Sequence, residues 1–230
     1  MEKLVYLLFE ASDKAGAILR EDILAAADRL ATLGASDIVV NVNDDGVADG
    51  AGVTLGTLDP PIRAMVSFWM DNSDDRGAAE NLLSANARGI AGYLVIESVP
   101  TVNTSQPNAP AARMPGVNMV TCIRKLKALS QDEFVRVWHQ DHKLVAQQTQ
   151  STFGYIRNTV VRPLTDAAPP FDGIVEEFFP IEALTDPKIW YAASSDVELE
   201  QNQKTMIESV QRFLDLSGIE SHPMSRYRPG

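Results

Sequence analysis

Apolar runs of strand length alternate along this chain with stretches of helical period. Lys3–Glu10 is a short apolar run and reads as a strand. In Glu21–Leu33 the apolar residues Ile23, Leu24, Ala27, Leu30 and Ala31 recur at helical spacing, and Gly34 supplies a stop. Asp37–Val42 is a second strand. Asn43–Pro61, rich in Asp, Gly and Pro, is a loop. Ile62–Met70 is a third strand, Asp74–Asn86 a second helix and Ile90–Val99 a fourth strand.

The order then recurs. Val117–Leu126 is a strand rich in β-branched residues. Ser130 with Glu133 forms a capping box that opens a helix running to about Gln148. Thr152–Val161 and Phe171–Phe179 are strands. Helix follows between Pro187 and Leu216, with a stripe of Met206, Val210, Phe213 and Leu214. Met224–Arg228 reads as a weak last strand. Residues 103–115 separate the two series. They are small and polar with three prolines, a composition that does not pack as a regular element. The expected organisation is therefore residues 1–102, a linker at 103–115, and residues 116–230.

The order βαββαβ, twice, is the ferredoxin-like pattern, an α+β unit whose four-stranded sheet has helices on one face only. Its strands here are apolar on both sides. In Val117–Leu126, Met119 and Ile123 stand opposite Val120 and Cys122, and in Phe171–Phe179, Ile174 and Phe178 stand opposite Phe171, Val175 and Phe179. Two such units in one chain bury their bare faces against each other. Two unrelated α+β domains of like element order are the competing explanation.

Composition narrows the setting. With 230 residues the chain can bury a substantial core, and its single cysteine, Cys122, leaves no disulfide within it, which fits a reducing compartment. A net charge of −11 disfavours nucleic acid and anionic membranes as partners. No run approaches the roughly 20 apolar residues of a spanning helix. The first residues lack the layout of a signal peptide, so a cytoplasmic protein is expected.

Three histidines occur, His139, His142 and His222. His142 shares a helix face with Phe134, Trp138 and Val145, so it points toward the sheet or a pocket beside it. There it acts in acid–base chemistry or simply packs; on the residues alone the packed histidine leads. His139 falls on another face, and no third ligand accompanies the pair, so no metal site is expected. Asp172 opens a strand beside Gly173. It is a carboxylate on an apolar wall suited to proton transfer, or a group that caps the strand start. Tyr155 and Asn158, three apart on one strand, face opposite sides. Arg124 offers a cation to a substrate or solvates a strand end. No nucleophile elbow, phosphate loop, dinucleotide fingerprint or zinc spacing is present.

Together these residues resemble an EthD domain over roughly 116–228. The resemblance is carried by Arg124-Lys125, then Phe134, Trp138 and His142, then Tyr155 and Asn158, then Phe171-Asp172-Gly173, and finally Phe213-Leu214-Asp215. It implies a dimeric α/β-barrel fold, here formed within one chain or by a homodimer. It implies a pocket between sheet and helices for a hydrophobic or aromatic, polyketide-like molecule, with His142 and Asp172 as catalytic candidates. Trp138, Tyr155, Asn158, Arg124 and Phe178 are its candidate substrate contacts. The implied activity is a lyase, cyclase or dehydratase that uses no cofactor. The alternatives are a monooxygenase, cofactor-free or haem-linked through His142 or His139, and a non-catalytic binding protein. Laying Glu21-Asp22-Ile23 over Asp132-Glu133-Phe134 puts Ala31 at His142 and Ala27 at Trp138, and laying strand on strand puts Arg63 at Asp172. The first series thus has the sheet without the site.

Overall fold

In the computed structural model, which describes residues 1–11, 13–107 and 109–229, β1 (Glu2–Phe9) is buried along six consecutive residues. Such a strand needs cover on both faces, and the topology supplies it. β1 lies between β3 (Ile62–Met70) and β4 (Gly89–Thr101), and β2 (Ser36–Val42) pairs with β3. In the second series β5 (Val117–Ile123) lies between β7 (Gly173–Phe179) and β8 (Glu220–Tyr227), and β6 (Gly154–Pro163) pairs with β7. Each set has the strand order of a ferredoxin-like unit. The units join edge to edge through β2–β8 and β4–β6, closing one eight-stranded barrel. Closure leaves neither sheet with an open edge.

Alternate residues fill the two sides of the wall. Val5, Leu7, Met65, Val120, Cys122, Ile174 and Met224 form the interior core. Their outward neighbours carry the helices. In the first unit these are α1 (Gly16–Leu30) and α2 (Gly77–Ser84). In the second they are α3 (Gln131–Arg136), α4 (Lys143–Thr149), the short α5 (Pro187–Trp190) and α6 (Asp196–Val210).

Four elements differ from the sequence expectation. Helix α1 begins at Gly16, five residues early, and its buried stripe is Leu19, Ile23, Ala27 and Leu30. That stripe matches Phe134, Trp138 and His142 one turn before the expected alignment, so Ala27, not Ala31, answers to His142. The helix opened by Ser130 does carry the capping box, but it passes through a π-helical turn, Val137–His142, before resuming as α4. The loop 43–61 contains 3-10 turns over Asp45–Val53. The last strand spans Glu220–Tyr227 and is wholly buried. Within the linker, Met114 is buried, its N–H bonds to the Arg226 carbonyl at 2.9 Å, and Asn108 lies outside the described residues.

Candidate active site

The helix-bearing face of the second sheet is not filled. A cleft of about 590 Å³ lies between β5, β6 and β7 below and α5 and α6 above. Gly52, Val53 and Leu55, from the first unit's 3-10 turns and the segment after them, close one side. Leu55 is tied down by reciprocal backbone bonds with Ser221 of β8, at 2.9 and 2.7 Å. Most of the wall is apolar, including Ile123, Val175, Trp190, Met206 and Phe213.

His142 reaches this cleft from the π-helical turn. An extra residue per turn costs helical hydrogen-bond geometry and shifts the side chains that follow it, which is why such turns gather at functional sites. The ring lies 5.0 Å from Phe213, centroid to centroid, and Nδ1 is 3.0 Å from Ser209 Oγ on α6. Nε2 has no partner among the described residues. Burial, reinforced by the Arg157 charge, lowers the His142 pKa to about 4, so the ring is neutral at pH 7.

Glu177 enters the same cleft from β7. Its neighbour in sequence, Glu176, points into the barrel and meets Arg226, as strand alternation requires. Glu177 has no hydrogen bond or ion pair among the described residues, and no Lys or Arg lines its cleft. Burial without a compensating cation raises its carboxyl pKa to about 7. Tyr155 stands opposite Glu177 across the β6–β7 ladder, and its hydroxyl accepts the Trp138 Nε1–H at 2.8 Å. The cleft thus holds a neutral imidazole, a carboxyl poised near neutrality and a phenol, all in apolar surroundings.

Residues 126–217 match the EthD domain family model. That segment is EthD-like. No curated protein matches the sequence. Among solved structures, an anthrone oxidase-like protein superposes with a TM-score of 0.63 at 9% identity, covering 99% of this chain and 91% of that one. A mutant chlorite dismutase from Candidatus Nitrospira defluvii in complex with cyanide gives 0.49 at 9% identity, over 98% and 90%. At 9% identity the likeness to the anthrone oxidase-like protein concerns the fold, an α+β barrel built from two ferredoxin-like units.

The EthD-like half brings together His142, Trp138 and Tyr155, all at the cleft. It does not bring Asp172 there. The Asp172 carboxylate accepts the Lys125 N–H at 2.8 Å, capping the strand start, and its side chain lines a separate groove with His139. His139 packs edge-on against Trp138 at 4.8 Å, and burial, ahead of the Arg157 charge, lowers its pKa to about 4. Asn158 faces the barrel interior, where it accepts from Lys3 Nζ at 2.8 Å. Phe178 faces the same interior beneath the Arg226 guanidinium. Arg124 stacks on Phe171, 5.3 Å from its ring centre, and is not part of the cleft wall. His222 lies inside the barrel beside Glu220, at 3.2 Å.

Glu177 is the member of the site that the sequence reading passed over. In Glu176-Glu177 nothing marks which residue is neutralised and which is stranded; only the strand register decides. Among the described residues no three His, Cys, Asp or Glu side chains gather to hold a metal, and no helix is long and apolar enough to cross a membrane. Haem fits the EthD-like cleft poorly: its two propionates are dianionic together, and the wall offers them no Lys or Arg and one carboxyl, Glu177.

Proposed function

We propose that the EthD-like cleft binds an uncharged hydrophobic or aromatic small molecule and moves a proton on it without a cofactor. The observation that carries this reading is the place of Glu177, a carboxyl in a mostly apolar cleft whose wall holds no Lys or Arg, where burial raises its pKa to about 7. A general acid–base group works best when its pKa lies near the working pH. Glu177 meets that condition and His142, at about 4, does not. Glu177 is therefore the proton-transfer group. His142 is the neutral partner that hydrogen-bonds the substrate oxygen through Nε2, its ring angle fixed by Ser209.

A flat ketone with an acidic C–H suits the cleft. Glu177 takes that proton, the electron pair moves onto the carbonyl oxygen, and His142 Nε2–H hydrogen-bonds the enolate. The tautomer this requires has Nδ1 accepting from the Ser209 hydroxyl, which the 3.0 Å contact allows. From the enolate, the β-hydroxyl leaves as water by taking the proton that Glu177 holds, which gives lyase chemistry; attack of the enolate carbon on a second carbonyl of the same molecule, whose oxygen takes that proton, gives cyclase chemistry. Reaction of the enolate with dioxygen gives the oxygenase reading, which the name of the anthrone oxidase-like structure keeps in view.

The test uses anthrone with the purified protein, following substrate loss and oxygen uptake together. Glu177→Gln is expected to lower turnover by about 10²–10⁴-fold, the range for loss of a positioned acid–base group. His142→Ala should lower it by a smaller factor. Undiminished turnover in Glu177→Gln sinks the assignment, and undiminished turnover in both variants sinks the site. Substrate loss without oxygen uptake removes the oxygenase reading.

A further inference from the structure

The barrel interior holds a second arrangement that the proton-transfer reading does not use. At the end where β1 begins, polar residues replace the apolar core. Lys3 pairs with Glu97, and Arg226 pairs with Glu176. Asn41, Asn118 and Asn158 bridge between them, with Asn118 Nδ2 donating to Asn41 Oδ1 at 2.8 Å. Burial works against the Glu176 charge, but Arg226 and Lys3 outweigh it and hold its pKa below the usual carboxylate value. Buried ion pairs are a weak source of stability, since desolvation consumes most of the attraction. Well-packed apolar side chains would close a barrel end at lower cost.

Above this polar floor opens a mouth of about 360 Å³. Arg226 lines it while only 5% exposed. Glu176 engages its Nη1, Phe178 lies 5.1 Å below its guanidinium, and its Nε is buried without a partner. Nη2 makes no hydrogen bond among the described residues. With Glu176 on Nη1 and Nε enclosed, Nη2 is the donor that Arg226 has left for a ligand carboxylate. On the rim stands Asp37, which has no ion pair among the described residues and sits at φ 46°, beside a register shift between β2 and β3. A second register shift, between β4 and β6, lies on the far rim at Ser98 and Thr101. Bulges at barrel rims re-aim side chains. Trp69, Val99 and Ile156 complete an apolar wall.

We propose that this mouth is a binding site for a compact zwitterion with an apolar body, of the α-amino acid class. The carboxylate takes Nη2 of Arg226, the ammonium takes Asp37, and the apolar side chain lies against Trp69, Val99 and Ile156. Lys3, Arg226 and Arg228 stand against Asp37, Glu97 and Glu176 here, three charges of each sign, so a net-neutral ligand bearing both signs fits better than a simple acid or amine. The site is at the barrel end, away from the α6 cleft, and its occupancy is independent of chemistry there.

Titration of the whole protein with L-phenylalanine, followed by NMR shifts or Trp69 fluorescence, tests it. Phenylacetate lacks the ammonium and phenethylamine lacks the carboxylate; each is expected to bind at least about 10-fold more weakly, or 1.4 kcal/mol. Arg226→Lys keeps a charge for Glu176 but loses the planar fork, and should weaken binding about 10-fold or more. That variant also perturbs the barrel, so Val99→Trp, which fills the mouth and leaves every ion pair intact, serves as the second; it should abolish binding. Absence of L-phenylalanine binding, or equal binding in wild type and Val99→Trp, overturns the proposal, as does equal affinity for phenylacetate.

Discussion

The two units share a strand order but finish their helix-bearing faces in opposite ways. In the first unit Tyr6 and Phe68 stack on that face at 5.7 Å, within 9° of parallel, and α1 and α2 press down on them. In the second unit the ladder register places Thr121 where Tyr6 stands and Glu177 where Phe68 stands. The strand beside Tyr6 carries Gly92, and a Cβ there would come within 2.4 Å of the Tyr6 ring. The corresponding residue beside Thr121 is Ser221, whose hydroxyl lies 2.8 Å from that of Thr121. A glycine makes room for an aromatic plug in one unit. Two small hydroxyl residues and a carboxyl leave a cleft in the other. One scaffold thus serves as a solid wall and as a site, and three facing positions decide which.

The largest expected effect comes from removing the plug. Phe68→Ala should destabilise the protein by about 3–5 kcal/mol, the usual cost of truncating a buried Phe whose site cannot collapse. The corresponding Glu177→Ala should cost nothing or stabilise, because it removes an uncompensated carboxyl from an apolar wall. Urea unfolding of the two variants at pH 7.5 checks the pair. Equal costs would mean that the two faces are packed alike.

Next in size is the reverse graft. Thr121→Tyr with Ser221→Gly and Glu177→Phe rebuilds the first unit's plug inside the cleft. Anthrone binding, read from quenching of Trp190 at the cleft wall, should weaken by about 100-fold or more, near 2.8 kcal/mol, while the far-ultraviolet circular dichroism stays unchanged. Wild-type affinity in the folded triple variant would place the ligand elsewhere.

Much of this contrast could be read in the sequence, and the part that could not has identifiable causes. Strands such as β3 and β7 announced themselves because a barrel wall covered by helices is apolar on both sides. The β8 strand showed only in its last residues, because Glu220 and Arg226 point inward to partners far away in sequence, the Thr57 N–H and the Glu176 carboxylate. The π-helical turn has no residue signature; Val137–His142 is ordinary helical sequence, and the turn shows only in the backbone. Tyr155 and Asn158 were separated by parity in the sequence, and the structure keeps them on opposite faces of β6. Asp172 illustrates the opposite case. Its place at a strand start was legible, but whether its carboxylate met a ligand or a backbone N–H depended on where Lys125 came to rest.

The most gradual expected effect is the pH dependence of stability, and it separates the two titrating groups of the cleft by sign. The His142 pKa falls from 6.5 to about 4 on folding, so the native ring resists the proton. Its contribution is fully present above pH 6.5 and is lost as pH falls from there toward 4, because the unfolded chain takes up the proton first. Glu177 runs the other way. Its pKa rises from 4.5 to about 7, so the unfolded chain releases the proton first, and a penalty grows as pH rises from 4.5 to 7. A difference of one proton changes stability by at most about 1.4 kcal/mol per pH unit. Glu177→Gln should therefore gain stability relative to wild type between pH 5 and 7, and His142→Phe should lose less than wild type between pH 6.5 and 4. Substitution of Phe68 in the first unit should shift unfolding curves by the same amount at pH 5 and pH 7, since its ring stacks on Tyr6 and meets neither His142 nor Glu177. Parallel pH profiles for wild type and Glu177→Gln would show that the carboxyl is ionised in the folded state at neutral pH, and the cleft would then lack the one group tuned for proton transfer.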